Sequence, residues 1–273
     1  FPTRRSSDLE GVIWKQLVLF AIPLIMGNVF QQLYNTVDSI VVGNYLGTSA
    51  LAAVGATTAI CNTLVNFFNG ISIGAGVVIS TCFGSRNHEK LHEAVETTIL
   101  FAVIVGCFVS LISVWVVPLM LKWMSTPDDV IGQSALYMRI YFMGMPFFML
   151  YNYGAAILRA IGDTKRPLIF LIISGIANAA LNMILVILFH MGVAGVAIGT
   201  IISQLISCVL VLTCLYRSEG SYQLRFSKLK INGAYMEQIF QVGVPAGIQS
   251  TVINLSNALL QSSVNSFGEI TVA

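Results

Sequence analysis

Charge is what this sequence has least of. Only 10% of its 273 residues are Asp, Glu, Lys or Arg, where a water-soluble domain carries about a quarter. Set against 56% hydrophobic residues, so few charges cannot clothe a globular core, and the apolar surface has to face lipid. The formal charge of +2 is too small and too dispersed for a nucleic-acid surface. Five cysteines lie in apolar runs with no Cys-x-x-Cys spacing, and the histidines do not cluster, which argues against a metal site or a disulfide framework. His88, His92 and His190 read as solvated residues of connections. Catalytic signatures are missing too: there is no H-E-x-x-H, no G-x-S-x-G and no pair of carboxylates at depth. Gly70, Gly74 and Gly76 lack the lysine of a phosphate loop and read as a surface for close helix packing. Neither an enzyme nor a bound cofactor is expected.

What the sequence does have is length in its apolar runs. A helix needs about 20 residues to cross a bilayer core, and such runs occur at 17–42, 51–83, 95–121, 135–158, 168–189, 193–216 and 239–264. The fold class is therefore all-α, a polytopic transmembrane helix bundle with seven crossings. Residues 1–9 (FPTRRSSDL) are basic, Ser-rich and unlike the rest; they resemble a translated adapter and are read as a non-native leader.

The connections alternate in charge. Lys15, Arg86, Lys90, Arg159, Lys165, Arg166, Arg217, Arg225, Lys228 and Lys230 fall on one side, against Lys122 and Arg139 on the other. The excess of Lys and Arg marks the cytoplasmic side, so the N-terminus is expected there.

An internal repeat organises the chain. WKQLVLFAIPLIMG from Trp14 aligns with MEQIFQVGVPAGIQ from Met236, pairing Gln16 with Gln238 and Pro23 with Pro245. Six crossings separate the two copies, so the repeats are parallel, related by an axis along the membrane normal. The expected division is a six-helix N-lobe at 10–216, a basic cytoplasmic linker at 217–232, and the start of a second lobe at 233–273. An intact protein of this plan has twelve helices and a pathway between its lobes. Pro23 and Pro245 each remove a backbone donor from their helix and are expected to kink it.

Polar residues recur at helical steps within the apolar runs. The first crossing carries Asn28, Gln31, Gln32, Asn35 and Asp38, and the second Thr58, Asn62, Asn66 and Asn69. The fifth carries Ser174, Asn178 and Asn182, and the seventh Ser250, Asn254, Asn257 and Gln261, whereas the third is almost wholly apolar. Any one amide serves as well for a bond between helices, worth about 0.6 kcal/mol. Taken together they point to a polar cavity lined by the first, second, fifth and seventh helices, with the third outside.

Asp38 stands out because a carboxylate at bilayer depth costs about 2.5–3.5 kcal/mol on insertion scales. A carboxyl in such surroundings suits reversible proton uptake, and with neighbouring amide oxygens it suits a hard monovalent cation. The alternative is a purely structural bond, which Tyr34, one turn earlier, is placed to supply.

TVDSIVVGNYLG around Asp38, ILRAIGDTKRP at Ile157–Pro167, ANAALNMILVILFHMGVAGVAIGT at Ala177–Thr200 and VGVPAGIQS at Val242–Ser250 closely resemble the multidrug and toxic compound extrusion (MATE) family. The resemblance covers Glu10 to Ala273. It implies a two-lobed antiporter of the cell membrane that expels small organic cations in exchange for Na⁺ or H⁺, monomeric when full length. By this similarity Asp38, Tyr34, Asn178 and Asn182 form the cation-coupling set. Gln31, Asn35, Asn62, Asn66 and Asn257 face the substrate cavity, and Pro23 belongs to a helix that bends in some members. Some members carry aspartate where this chain has Asn182, which leaves the coupling ion open between Na⁺ and H⁺. Tyr137, Tyr141 and Tyr151 offer ring faces to a cationic drug or simply pack. A flippase for lipid-linked oligosaccharides, of related architecture, and a non-transporting membrane scaffold are the alternative readings.

Overall fold

The computed structural model describes residues 13–123, 128–218, 220, 222–224 and 230–266, and every regular element among them is helical. The leader 1–9 and the linker residues Arg225 and Lys228 lie outside the described residues, as do the side chains of Lys122, Thr58 and Gln261. In chain order come α1 (Ile13–Gly84), α2 (His88–Trp123), α3 (Asp128–Met143) and α4 (Met145–Ala160). They are followed by α5 (Lys165–Met183), a π-helical turn (Ile184–Leu188), α6 (Gly192–Tyr216) and α7 (Gly233–Ser266).

The first element is two arms. Gly47 adopts φ 83° and ψ 179°, a conformation open to glycine and strained for other residues, and it divides α1 at the loop expected between the first two crossings. Helical backbone runs on through Pro23 in the first arm and Pro245 in α7.

Among the described residues, five helices are long and apolar enough to cross a membrane: Leu17–Gly47, Cys61–Gly84, His88–Leu121, Lys165–Leu188 and Gly192–Tyr216. They coincide with the first, second, third, fifth and sixth expected crossings. The fourth differs from expectation, because 135–158 is divided at Gly144 into α3 and α4. Pro146 supplies no backbone donor and disfavours helix in the residue before it, while the Gly144 N–H closes a tight turn on the Tyr141 carbonyl at 3.0 Å. The missing side chain at 144 is also needed for packing, since a Cβ there would stand 2.8 Å from Cγ1 of Ile201 in α6. The seventh expected crossing is helical as α7, whose Ser, Asn and Gln content keeps it out of the five.

The outer face of α2 is apolar and bare, with Trp115 84% and Leu111 71% exposed, as expected for a lipid-facing third crossing. Met138, Met149, Tyr153, Ile157 and Leu215 fill the interior. Lipid offers helices no hydrophobic gain from associating, so they gain by close approach at small residues. The second arm of α1 and α7 meet in this way, glycine against glycine. A Cβ on Gly74 would lie 2.6 Å from the Gly243 nitrogen, and one on Gly243 would lie 2.8 Å from the Ile71 carbonyl oxygen.

Local signals fix the connections on the basic side. At the end of α4, Gly162 has φ 91°, its N–H donates to Arg159 O at 3.0 Å, and the Asp163 N–H donates to Leu158 O at 2.9 Å. This pair of bonds is a Schellman cap. The Asp163 carboxylate then accepts the Arg166 N–H at 3.1 Å and pairs with its Nε at 3.2 Å, starting α5 at once. Before α7, Asn232 Oδ1 caps the helix by accepting the Ala234 N–H at 3.0 Å, and Asn232 Nδ2 donates to Glu93 at 2.9 Å.

His88 and His92 are not in a connection: His88 is the first residue of α2, and His92 lies one turn on, with Nε2 3.0 Å from Oε1 of Glu96. Glu96 is itself only 4% exposed, more deeply buried than the half-buried Asp38. The helix starts at His88, earlier than the apolar run, and the i,i+4 spacing carries both side chains under the bundle's edge.

Candidate functional site

Each residue of an α-helix turns about 100° from the last. On the first arm of α1 this aligns Pro23, Gly27, Phe30, Tyr34, Val37 and Val41 in one stripe, all buried or half-buried. That stripe packs along α5: a Cβ on Gly27 would sit 3.9 Å from Leu168 and Leu171, and one on Gly175 would sit 3.8 Å from the Tyr34 ring. Asn28, Gln31, Gln32 and Asn35 form a neighbouring stripe that is exposed. Asp38 is turned about 40° from Tyr34 and falls on the seam between the two.

At that seam the carboxylate meets α5. Asn182 Nδ2 donates to Asp38 Oδ1 and also to Asn178 Oδ1, the latter at 3.1 Å. Asn178 Nδ2 in turn reaches the Thr200 hydroxyl of α6 at 3.5 Å, and Thr200 donates to Val196 O at 3.0 Å. Asn178 and Asn182 are essentially fully buried, with 1% and 0% exposure. The chain of contacts thus runs from first arm to α5 to α6. It ends on hydroxyl and carbonyl oxygens, an environment suited to a proton or a hard cation.

Of the Tyr or Asn weighed as a partner for Asp38, Asn182 makes the bond, and the Tyr34 hydroxyl is buried beside Thr200 and Ser203 with no hydrogen bond of normal geometry. The rings of Tyr137 and Tyr141 stack on one another with centroids 6.1 Å apart. Tyr151 is elsewhere, its hydroxyl donating to Pro167 O at 3.2 Å.

Of the residues expected to line a substrate cavity, Gln31, Asn35, Asn62 and Asn257 are exposed and Asn66 is half-buried. Thr200 and Ser203 were missed in the sequence. Their signal was present in α6 as hydroxyls at 200, 203 and 207, steps of three and four on one face.

The family model described as MatE matches residues 23–184, which include Asp38, both buried asparagines and the α4–α5 turn. The chain belongs to the MatE family. "Probable multidrug resistance protein YoeA" of Bacillus subtilis (strain 168) is 33% identical over all of this chain and 60% of its own length. "Multidrug export protein MepA" of Staphylococcus haemolyticus (strain JCSC1435) is 23% identical over 97% of this chain and 58% of its own. The chain thus spans about 60% of the length of the curated relatives it matches. A crystal structure of MATE in the straight conformation superposes with TM-score 0.86 at 22% identity, covering 98% of this chain and 60% of that one. An outward-facing multidrug resistance MATE family transporter gives TM-score 0.84 at 22% identity, with 97% and 58% covered. MatE membership and these matches of fold agree with an all-α transmembrane bundle.

Proposed function

We propose that the protein exports small organic cations from the cell in exchange for Na⁺ or H⁺, with Asp38, Asn182, Asn178, Thr200 and Tyr34 forming the coupling site. The observation that carries this reading is the placement of Asp38. Its carboxylate is drawn off the exposed polar stripe of the first helix and held by a fully buried amide of α5. A group so placed exchanges a small cation without standing in the path of a bulky one. The names of the relatives support drug export as the activity.

In this reading, Gln31, Asn35, Asn62, Asn66 and Asn257 face a pathway shared with a second lobe, and the Tyr137–Tyr141 stack lies near the coupling site. Binding of Na⁺ or H⁺ at Asp38 and binding of drug favour different states of the transporter, which is what exchange requires. Pro23 and Pro245 are candidate points of bending between those states. The protein sits in the plasma membrane with a cytoplasmic N-terminus, as the Lys and Arg distribution supports. It acts as a monomer and needs no bound cofactor.

The test is efflux of a fluorescent organic cation from cells expressing the full-length protein, with Na⁺ and H⁺ gradients imposed separately. Efflux driven by one gradient and abolished in Asp38→Asn supports the reading and names the ion. Efflux that survives the substitution overturns the role of Asp38.

A further inference from the structure

We infer that Gly199 is a positioning residue for the Asp38 site: its missing side chain is the slot that receives the Asn182 carbonyl oxygen and so turns the amide nitrogen toward Asp38. The inference deepens the coupling-site reading and rests on it for its functional meaning.

An asparagine amide fits most pockets either way round, and its orientation is set by its partners. Here two acceptors, Asp38 Oδ1 and Asn178 Oδ1, both require a donor, and Asn182 Nδ2 serves both. The carbonyl oxygen must then point away, and it is buried with no hydrogen-bond partner. The space it occupies lies against the α-carbon of Gly199. All three of the nearest atoms to a Cβ built on Gly199 belong to Asn182: Oδ1, in outright collision, then Cγ at 3.3 Å and the backbone nitrogen at 3.5 Å. No other glycine of α6 does this. For Gly195, one turn earlier, the three nearest atoms belong instead to Met191, at 3.1 Å, and to Leu185 of the π-helical turn, at 3.2 and 3.3 Å.

Gly195 therefore separates two roles that glycine plays in α6. Both glycines let α6 approach α5, but only Gly199 decides where the amide sits. Alanine at 199 should push the carbonyl oxygen out of its slot and break the bond to Asp38. Alanine at 195 should crowd the same interface and leave that bond intact.

The side-chain amide of Asn182 is followed by ¹⁵N NMR in the full-length protein in detergent micelles, assigned by its loss in Asn182→Ala. Its resonance should move in Asp38→Ala, make the same move in Gly199→Ala, and stay in place in Gly195→Ala. A Gly199→Ala resonance at the parental position, or an equal move in Gly195→Ala, overturns the inference. Should Gly199→Ala fold poorly, the cycle with Asn182→Ala decides. The unfolding temperature should fall on adding Gly199→Ala to the parent and stay level on adding it to Asn182→Ala, where the amide is gone; equal losses in both backgrounds overturn the inference. Neither measurement uses transport, so an Asp38→Asn variant that still exports drug would remove the coupling reading and leave this result standing.

Discussion

Gly74 and Gly243 pack backbone against backbone: a Cβ on Gly74 would fall 2.6 Å from the Gly243 nitrogen and equally near the Ile239 carbonyl oxygen. Gly70 and Gly247 meet in the same way one turn along. The second arm of α1 and the helix that opens the repeat's second copy are thus joined at a distance only glycine permits.

Gly74→Ala and Gly243→Ala should each force the two helices apart, at a cost of about 1–3 kcal/mol, the usual range for overpacking. Gly84→Ala, which meets nothing within 4 Å, is the control and should be neutral. Thermal unfolding of the purified protein measures the difference. Equal behaviour of all three would mean that this crossing is not tight.

Thr200→Val keeps shape and removes the hydroxyl that Asn178 reaches at 3.5 Å. The bond is long, so the loss of stability should be small, about 0.5–1 kcal/mol. The half-saturating concentration of the driving ion should nevertheless change several-fold in an efflux assay. Ser203→Ala is a useful contrast, because Ser203 donates to Thr200 O of its own helix at 2.7 Å and does not donate to the asparagines.

The His92–Glu96 pair predicts an asymmetry. His92→Ala leaves the Glu96 carboxyl buried and unpaired, which should cost about 1–3 kcal/mol. Glu96→Gln retains a group able to bond the imidazole and should cost less. Unfolding temperatures of the two variants test the order; the reverse order would show that the pair is not what holds Glu96 in place.

Orientation is open to a direct chemical test. In a cysteine-free background, His190→Cys should react in intact cells with a membrane-impermeant maleimide, and Arg217→Cys only after permeabilisation. The opposite pattern would place the N-terminus outside.

Much of the Asp38 site was legible in the sequence. A carboxylate in an apolar run is costly wherever it ends up, and the i,i+4 pair Asn178 and Asn182 shares a helix face by period alone. Spacing on one helix offered Tyr34 as a partner and the family resemblance grouped Asn182 with Asp38; the bond itself, between residues 144 positions apart, took the packed helices to decide. The break at Gly144 had a signal in Pro146, but hydropathy ran through it, since a change of backbone direction does not alter apolar character. His92 was set aside for a related reason. It is a polar residue before an apolar run, and only the extension of α2 back to His88 puts it on the helix, one turn from Glu96.

Composition and period determined by themselves that this chain is a membrane-spanning helical bundle, where its crossings lie and that Asp38 is exceptional. These are properties of each segment in its solvent, and they need no neighbours. Only the tertiary structure decided which face of the first helix turns inward, that the Asn182 amide donates to the carboxylate, and that Gly199 leaves room for the amide to do so. Those outcomes depend on the distance between α1, α5 and α6, which is set by side chains far apart in sequence and by the places where a side chain is missing.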